Sequence, residues 1–302
     1  MQSFAYKSSE ARAMRRFVLF VLCFTAIVVL GVALPHSRLN AHAAAALPQQ
    51  TGNWHNGDCD HPGHHWGSAQ ACQLRRTTFA LPGGHLAVHT MNGGIDVIGE
   101  DRNDVELEAR VTTWAPSDSE ANALLSQVSI DTSNGDIRDH GPRPSFFGRE
   151  GYSIDYHLHV PQHLAADLHT MNGGIDLTRL DGNLQFDTTN GGVTLDRLSG
   201  DVQGHTVNGG LNITLAGDRW QGQGLSADTT NGGIDLRLPD HYAAHLETAT
   251  VNGGISVNFP ITVQGEIKNH LTTDLGGGGP TIHVQTVNGG ITIGHSSGSM
   301  AD

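Results

Sequence analysis

Residues 188–193 read Thr188-Thr189-Asn190-Gly191-Gly192-Val193, and residues 206–211 repeat the pattern as Thr206-Val207-Asn208-Gly209-Gly210-Leu211. The form Thr-x-Asn-Gly-Gly/Asp-aliphatic occurs eight times in the chain, so an internal repeat decides the fold. The asparagines of the eight copies are Asn92, Asn134, Asn172, Asn190, Asn208, Asn231, Asn252 and Asn288. The glycines that follow seven of them are Gly93, Gly173, Gly191, Gly209, Gly232, Gly253 and Gly289.

The residues between the turns indicate what each repeat forms. Apolar Leu184 and Phe186 alternate with polar Gln185 and Asp187, and this period of two predicts strands with one buried face. The asparagines are separated by 42, 38, 18, 18, 23, 21 and 36 residues, and we interpret each long interval as two steps of which one lacks the marked turn. The sequence therefore predicts an all-β protein, a single parallel β-solenoid of ten steps with two short strands per rung of about 18–23 residues.

The turn residues have a structural explanation. Asparagine and glycine adopt positive φ at low cost, which suits a tight corner. When corners stack one rung apart, asparagine side chains can form a hydrogen-bonded ladder, and the threonine can bury its methyl group and bond its hydroxyl to the backbone. Binding specificity is therefore expected in residues that differ from rung to rung.

The N-terminal residues 1–46 have the composition of an export signal. Basic residues precede an uncharged run over residues 17–34, and an Ala-x-Ala pattern follows at Ala41 and Ala43. These features are typical of a cleaved secretory signal, although the run is also long enough to be an uncleaved membrane anchor. In both cases we expect the rest of the chain in the periplasm, the outer cell envelope or the extracellular space.

The remaining chain divides into a His/Cys-rich N-terminal segment and cap (47–80), the repeat domain (81–295) and a flexible tail (296–302). Outside residues 1–46 it contains 12 basic and 29 acidic residues, a net charge of −17. This balance argues against nucleic acid or anionic lipid as a partner. Acidity of this kind also keeps an exported β-protein soluble.

The repeats and the export signal together resemble the bacterial putative-adhesin β-strand-repeat family, a domain of unknown function that is similar to auto-transporter-adhesin-like β-repeats. Residues 86–97, Leu-Ala-Val-His-Thr-Met-Asn-Gly-Gly-Ile-Asp-Val, and residues 104–109, Asp-Val-Glu-Leu-Glu-Ala, carry the resemblance. It covers about residues 78–295. The resemblance implies a right-handed parallel β-helix-like fold in an envelope or surface protein, and it supplies no catalytic residues.

The segment before the repeats could hold a disulfide or a metal. In an exported chain, Cys59 and Cys72 favour a disulfide. The alternative is a zinc or copper site at His61, His64 and His65, although their spacing matches no standard zinc finger. Calcium is disfavoured, because aspartate does not recur after the turn in every rung. We expect the disulfide and no cofactor.

Two classes of function remain. We expect a non-enzymatic, adhesin-like binding surface or scaffold for an unknown envelope protein or glycan, with end-to-end self-association also considered. The alternative is a polysaccharide lyase or hydrolase that would use outward carboxylates and arginines. Its candidate residues are Asp155, Asp187, Asp196, Asp228, Asp235, Arg179, Arg197 and Arg237. No nucleophile elbow, phosphate loop or dinucleotide fingerprint occurs in the sequence.

One segment interrupts the repeats. Pro142 and Pro144 oppose regular strand pairing, and Phe146 and Phe147 follow them. The two phenylalanines are candidates for binding a partner, but we favour the alternative in which they cover the core.

Overall fold

The computed structural model describes residues 55–57, 59, 68–143, 149–258 and 268–296 of the 302-residue chain. These residues form two large β-sheets and one α-helix, so the prediction of an all-β protein is confirmed.

The strands have the following bounds along the chain: β1 (His55–Gly57), β2 (Ala69–Ala80), β3 (His85–Asn92), β4 (Ile95–Glu100), β5 (Asp104–Ala115), β6 (Ser129–Asp131), β7 (Asp136–His140), β8 (Gly151–Pro161), β9 (Ala165–Asn172), β10 (Ile175–Thr178), β11 (Asp181–Asn190), β12 (Val193–Asp196), β13 (Ser199–Asn208), β14 (Leu211–Thr214), β15 (Gly224–Asn231), β16 (Ile234–Leu238), β17 (Ala244–Asn252), β18 (Ile255–Val257), β19 (His270–Leu275), β20 (Thr281–Asn288) and β21 (Ile291–His295). The helix is α1 (Asp118–Leu125), and a 3₁₀ turn covers Ser133–Gly135.

Hydrogen bonds arrange the strands in two sheets. Sheet 1 has the order β1-β2-β5-β8-β4-β10-β12-β14-β16-β21-β18. Sheet 2 has the order β19-β17-β20-β15-β13-β11-β9-β3-β7-β6. Each Asn-Gly-Gly corner joins a strand of sheet 2 to the next strand, which lies in sheet 1, so the chain passes from one sheet to the other within each repeat.

Seven corner-linked strand pairs stack as rungs. From one end they are rung 1 (β3–β4), rung 2 (β9–β10), rung 3 (β11–β12), rung 4 (β13–β14), rung 5 (β15–β16), rung 6 (β20–β21) and rung 7 (β17–β18). Neighbouring rungs pair in parallel without a shift in register, so that Asn190 lies opposite both Asn172 and Asn208. Every corner therefore lies directly beside the corner of the next rung.

The rungs do not stack in chain order. β20 lies between β15 and β17, and β21 lies between β16 and β18. The last repeat of the chain is thus inserted between the two repeats that precede it. The described part of the 36-residue interval before it contains β19, which is antiparallel to β17, so our interpretation of this interval as an unmarked rung is wrong.

Asn134 does not join the stack, which corrects the prediction of eight equivalent corners and ten steps. It lies in the 3₁₀ turn with φ 57°, and Gly135 after it has φ 79°. These left-handed conformations fold the chain back locally, so it does not extend into a rung corner. The interval before Asn134 holds β5, which is antiparallel to its neighbours, and α1.

Side chains that point inward from both sheets form one core. Leu184 and Phe186 of sheet 2 and Val193 and Leu195 of sheet 1 are buried in it. The ring of Phe186 occupies space beside the neighbouring Gly204, where a methyl group on that glycine would overlap the ring. Each large side chain buried in this way stabilises the fold by about 1.5–3 kcal/mol.

Beyond rung 1, β7 and β8 pair in parallel with β3 and β4, and antiparallel strands follow them. Helix α1 packs on β2 and β5. Buried Arg75 of β2 donates hydrogen bonds to the carbonyl oxygens of Val128 at 2.7 Å and Leu125 at 3.0 Å. Its charge lies at the C-terminus of α1, whose last turn has no basic residue of its own. Cys59 and Cys72 form a disulfide with a Cα–Cα distance of 5.7 Å, as the sequence predicts.

No helix of the described residues is long and apolar enough to cross a membrane. The apolar run over residues 17–34, predicted as a signal or anchor, lies outside the described residues.

Candidate functional site

A buried threonine fixes six of the seven corners of the stack. In rung 1, Thr90 is half-buried and its Oγ1 donates to the carbonyl oxygen of Asn92 in its own corner at 3.5 Å. Thr188 Oγ1 donates to the carbonyl oxygen of Gly173 at 2.9 Å, and Thr206 Oγ1 donates to that of Gly191 at 2.8 Å. Both threonines are fully buried, so these bonds satisfy hydroxyl groups that would otherwise be unpaired in the core. The same bond to the neighbouring rung is made by Thr170, Thr229, Thr250 and Thr286.

The asparagine side chains form one continuous ladder. Asn208 Nδ2 donates to Asn190 Oδ1 at 2.9 Å, and Asn208 Oδ1 accepts from Asn231 Nδ2 at 2.9 Å. All six bonds between neighbouring amides measure 2.8–2.9 Å. In stack order the ladder consists of Asn92, Asn172, Asn190, Asn208, Asn231, Asn288 and Asn252. The amides therefore stabilise the stack, as identical amides do in cross-β arrays.

The first glycine of each corner is required by close stacking, and only Gly93 of the seven, with φ 127°, also fits the explanation from positive φ. None of the seven ladder asparagines has positive φ, and neither does Gly191. A methyl group on Gly191 would overlap the carbonyl oxygen of Gly173 on the next rung. The same overlap with neighbouring backbone occurs at Gly93, Gly173, Gly209, Gly232, Gly253 and Gly289. The backbones approach too closely for any side chain at this position.

The residue between threonine and asparagine points outward at every corner. We call this row the corner stripe; in stack order it is Met91, Met171, Thr189, Val207, Thr230, Val287 and Val251. Met91 is 51% exposed, Met171 49% and Val251 54%, and no other large hydrophobic side chain of the described residues is exposed. The row carries no formal charge.

Next to the corner stripe, the outer face of sheet 2 is rich in histidine, carboxylate and amide groups. We call it the sheet 2 face, and its two rows from rung 1 to rung 7 are His89, His169, Asp187, His205, Asp228, Gln285 and Ala249, then Ala87, Asp167, Gln185, Gln203, Ser226, His283 and Glu247. The His89 and His169 rings stack with centroids 5.1 Å apart, and His169 Nε2 lies 2.8 Å from Asp167 Oδ1. Imidazole, carboxylate and amide side chains thus lie side by side on this surface.

Asp228 is the most constrained carboxylate of the sheet 2 face. Its Oδ1 is inaccessible to solvent and has no hydrogen-bond partner among the described residues, and His283 Nε2 lies 3.9 Å away. Burial raises the pKa of Asp228 above its usual value of 3.8, while His283 and His205 act in the opposite direction.

We expect Asp228→Asn to raise the midpoint of thermal unfolding by a few degrees at pH 7.5. The raised pKa means that the folded state favours the protonated carboxyl, so its ionised form costs stability at neutral pH and asparagine removes this cost. The gain should shrink as the pH falls towards 3.8, where the carboxyl is protonated in both states. Thermal unfolding followed by circular dichroism at several pH values measures it, and a lower midpoint at pH 7.5 would mean that the histidines make the carboxylate stabilising.

Two clefts lie beside rung 1. One, of about 360 Å³, is lined by carboxylates that already have partners: Asp96 Oδ2 lies 2.8 Å from His157 Nδ1, and Asp155 Oδ2 lies 2.8 Å from Arg110. Burial raises the pKa of Asp96. The other cleft, of about 400 Å³, lies at the rung 1 end of the corner stripe, and Met91 is one of the residues that line it. Within the described ranges, no three or more His, Cys, Asp or Glu side chains are placed to hold a metal ion.

The carboxylates and arginines considered for catalysis are spread over both sheets. Asp155, Asp196 and Asp235 point outward from sheet 1, and the last two pair with arginines of their own strands or corners at 2.7–2.8 Å. Asp187 and Asp228 point outward from sheet 2. The structure therefore does not bring these eight residues together in one site. Arg179 and Arg197 occupy left-handed corner positions with φ 54° and 53°.

Two sets of predicted site residues cannot be placed. His61, His64 and His65, considered for metal binding, lie outside the described residues, as do Phe146 and Phe147, considered for partner binding. The corner stripe is the feature that sequence reasoning missed, although its signal was the residue at the second position of each repeat.

Comparisons with known proteins give one family and several distant structures. A family model described as Toastrack DUF4097 matches residues 76–294, and no curated protein matches the chain. A crystal structure of a putative cell adhesion protein from Clostridium sporogenes is 11% identical, with a TM-score of 0.40 over 74% of this chain and 100% of that one. A putative adhesin from Bacteroides fragilis is 12% identical, with a TM-score of 0.29 over 74% and 97% of the two chains. A putative lipid binding protein from Parabacteroides distasonis is 9% identical, with a TM-score of 0.29 over 74% and 96%. Likenesses this distant carry no argument about what this chain binds.

Proposed function

Because the chain belongs to the Toastrack DUF4097 family through residues 76–294, we propose that its seven stacked rungs form a single right-handed parallel β-solenoid that acts as an exported, non-enzymatic binding surface of the adhesin-like kind. The parallel, in-register pairing of the seven rungs supports the solenoid. The disulfide between Cys59 and Cys72 supports export, because such bonds persist in oxidising compartments.

One observation supports the binding role: within each rung, different residues hold the stack together, fill the core and face outward. Threonine, asparagine and the first glycine hold neighbouring rungs together, and the inward side chains fill the core. The outward side chains of sheet 2 differ from rung to rung, as Asp187, His205 and Asp228 do at equivalent positions. Some of them also contact the next rung, as the stacked His89 and His169 rings do. The scaffold is thus constant while the surface is free to vary.

The chemistry of the sheet 2 face fits a neutral glycan best. Gln185 and Gln203 lie side by side on rungs 3 and 4, and amide groups both donate and accept hydrogen bonds, as sugar hydroxyl groups do. The net charge of −17 outside residues 1–46 disfavours anionic polymers. Side chains that repeat at about 4.8 Å per rung suit an extended polymer better than a small molecule, which needs a deep pocket.

Glycan-array binding of the purified full chain, with capture from envelope extract beside it, tests the proposal. We expect the double variant Gln185→Ala/Gln203→Ala to lose at least about tenfold in affinity, since two desolvated polar contacts are removed. The matched control is Thr194→Ala/Asn212→Ala, which removes two neutral polar groups from the same rungs on sheet 1 and should bind normally.

Four results would overturn the proposal. Absence of binding to any glycan, or equal losses in both double variants, would remove the sheet 2 face as the glycan site. Capture of an envelope protein that depends on Gln185 and Gln203 would replace the glycan by a protein partner. Release of new reducing ends from a bound glycan would favour the polysaccharide-acting enzyme.

A further inference from the structure

We infer that a second copy of this chain docks antiparallel on the corner stripe, about a two-fold axis at rung 4. This inference does not rest on the glycan proposal, because it uses the corner stripe and not the two rows of the sheet 2 face beside it.

The exposed apolar side chains of the corner stripe favour a binding partner. All three exposed large hydrophobic side chains of the described residues lie on it, at rungs 1, 2 and 7, although a scattered distribution would be ordinary for a soluble surface. Val207 and Val287 continue the row between them at intermediate exposure. An aligned apolar row of this kind marks an interaction surface.

The order of side chains along the stripe is symmetric about its centre. Read in stack order, it is apolar, apolar, threonine, valine, threonine, apolar, apolar. A two-fold axis through rung 4 and perpendicular to the stack brings like against like at every rung, as an isologous interface requires. The facing pairs are Met91 with Val251, Met171 with Val287, Thr189 with Thr230, and Val207 with its own copy.

Side-chain size selects this antiparallel arrangement over a parallel one. In a parallel pair, the long Met91 and Met171 would face their own copies at one end, while valines would face valines at the other, and the gap would be wedge-shaped. In the antiparallel pair each methionine faces a valine, so the gap is more even along the stripe. Even packing is what dispersion contacts need.

The spacing and charge of the stripe favour a copy of this chain over another ligand. Rungs repeat at about 4.8 Å, and a second copy has this repeat by construction, so all seven rungs can be in register at once. The stripe and the asparagine ladder beside it are uncharged, whereas the chain as a whole carries −13. Arg138 and Asp139 line the cleft at Met91, but their charges are opposite in sign. This surface can therefore approach its own copy with less repulsion than an acidic face would meet.

The size of the surface sets the strength of the association. A single row of seven side chains with its flanking amides is at the low end of specific interfaces, so we expect a Kd on the order of 10 µM. Sedimentation velocity of the full chain from about 1 to 200 µM covers this range.

The decisive variant is Val207→Glu, which places two carboxylates against each other on the axis. We expect its dimerisation to weaken at least about tenfold relative to the wild type. Asn212→Asp adds the same charge on the same rung but on sheet 1, and should dimerise normally. Circular dichroism on both variants verifies that they are folded.

Cysteine pairing tests the arrangement. Mixing Met171→Cys with Val287→Cys chains should give a disulfide-linked heterodimer, whereas a linked Met171→Cys homodimer would overturn the antiparallel geometry. A wild-type chain that stays monomeric to 200 µM, or a Val207→Glu variant that still dimerises, would overturn the inference. Loss of glycan binding in a monomeric Val207→Glu variant would assign the stripe to the glycan instead.

Discussion

Gly191→Ala is expected to lower the free energy of unfolding by about 3 kcal/mol, at the upper end of overpacking costs. The added methyl group would overlap the carbonyl oxygen of Gly173, and a backbone group held on both sides by rung hydrogen bonds cannot move aside as a side chain can. The midpoint of thermal unfolding should fall by about 6–12 °C.

The adjacent glycine is the matched control. A methyl group on Gly192 would lie 3.5 Å from the nearest heavy atom, the carbonyl oxygen of Gly210, which is ordinary van der Waals contact. Gly192→Ala should therefore change the free energy of unfolding by less than about 1 kcal/mol. Chemical denaturation of both variants measures the difference. Equal, small effects would mean that the rungs are further apart at this corner than the structure indicates.

Phe186→Ala is expected to lower the free energy of unfolding by about 3–5 kcal/mol, because it deletes the largest inward side chain of rung 3 and leaves a cavity that rigid rungs cannot close. Phe186 is 2% exposed, and the neighbouring Gly204 has no side chain that could fill the space.

Two further variants separate this cavity effect from general damage to the strand. Phe186→Leu keeps most of the volume and should cost about 1 kcal/mol. Gln185→Ala changes the outward neighbour and should stay within about 0.5 kcal/mol of the wild type. Denaturant unfolding of all three variants, analysed with one common dependence of the free energy on denaturant concentration, provides the comparison. A loss in Phe186→Ala no larger than in Phe186→Leu would contradict the tight packing of rung 3.

Much of the fold could be predicted from the sequence, because the repeat is a local signal. The period-two alternation located inward residues such as Leu184, and the Asn-Gly-Gly motif located the corners that stack. The resemblance to an adhesin-like β-repeat family is confirmed by the match over residues 76–294. What local pattern could not supply was the stacking order, because the strands β15 and β20 would look the same whichever neighbour they paired with.

The structure differs from the predicted regular stack at two places, and the sequence gives only a weak signal for each. The copy at Asn134 is the one in which Asp136 replaces the second glycine, and this substitution marks the corner that left the stack. Antiparallel β5 alternates between apolar and polar residues just as a parallel strand does, so its pairing direction was not readable.

The candidate site was less predictable than the fold. In the sequence, the second position of the repeat is variable. Only the stacking of the rungs places Met91, Met171 and Val251 in one row. The roles of the first and second glycines were likewise indistinguishable until the approach of neighbouring backbones was known. Distances between rungs belong to tertiary structure and have no local signature.

The insertion of the last repeat between rungs 5 and 7 determines when the molecule can finish folding. Rungs 2 to 5 join neighbours that are close in the chain, as in the bond between Asn190 and Asn208, 18 residues apart. The bond between Asn231 and Asn288 spans 57 residues, so its closure costs more entropy and has to wait for the final strands. Until then the edges of β15 and β16 lie open, and such edges are templates for aggregation. A chain that emerges amino end first would therefore need protection against aggregation at the open edge of rung 5. That protection would be needed until the carboxyl end of the chain arrives to form rung 6.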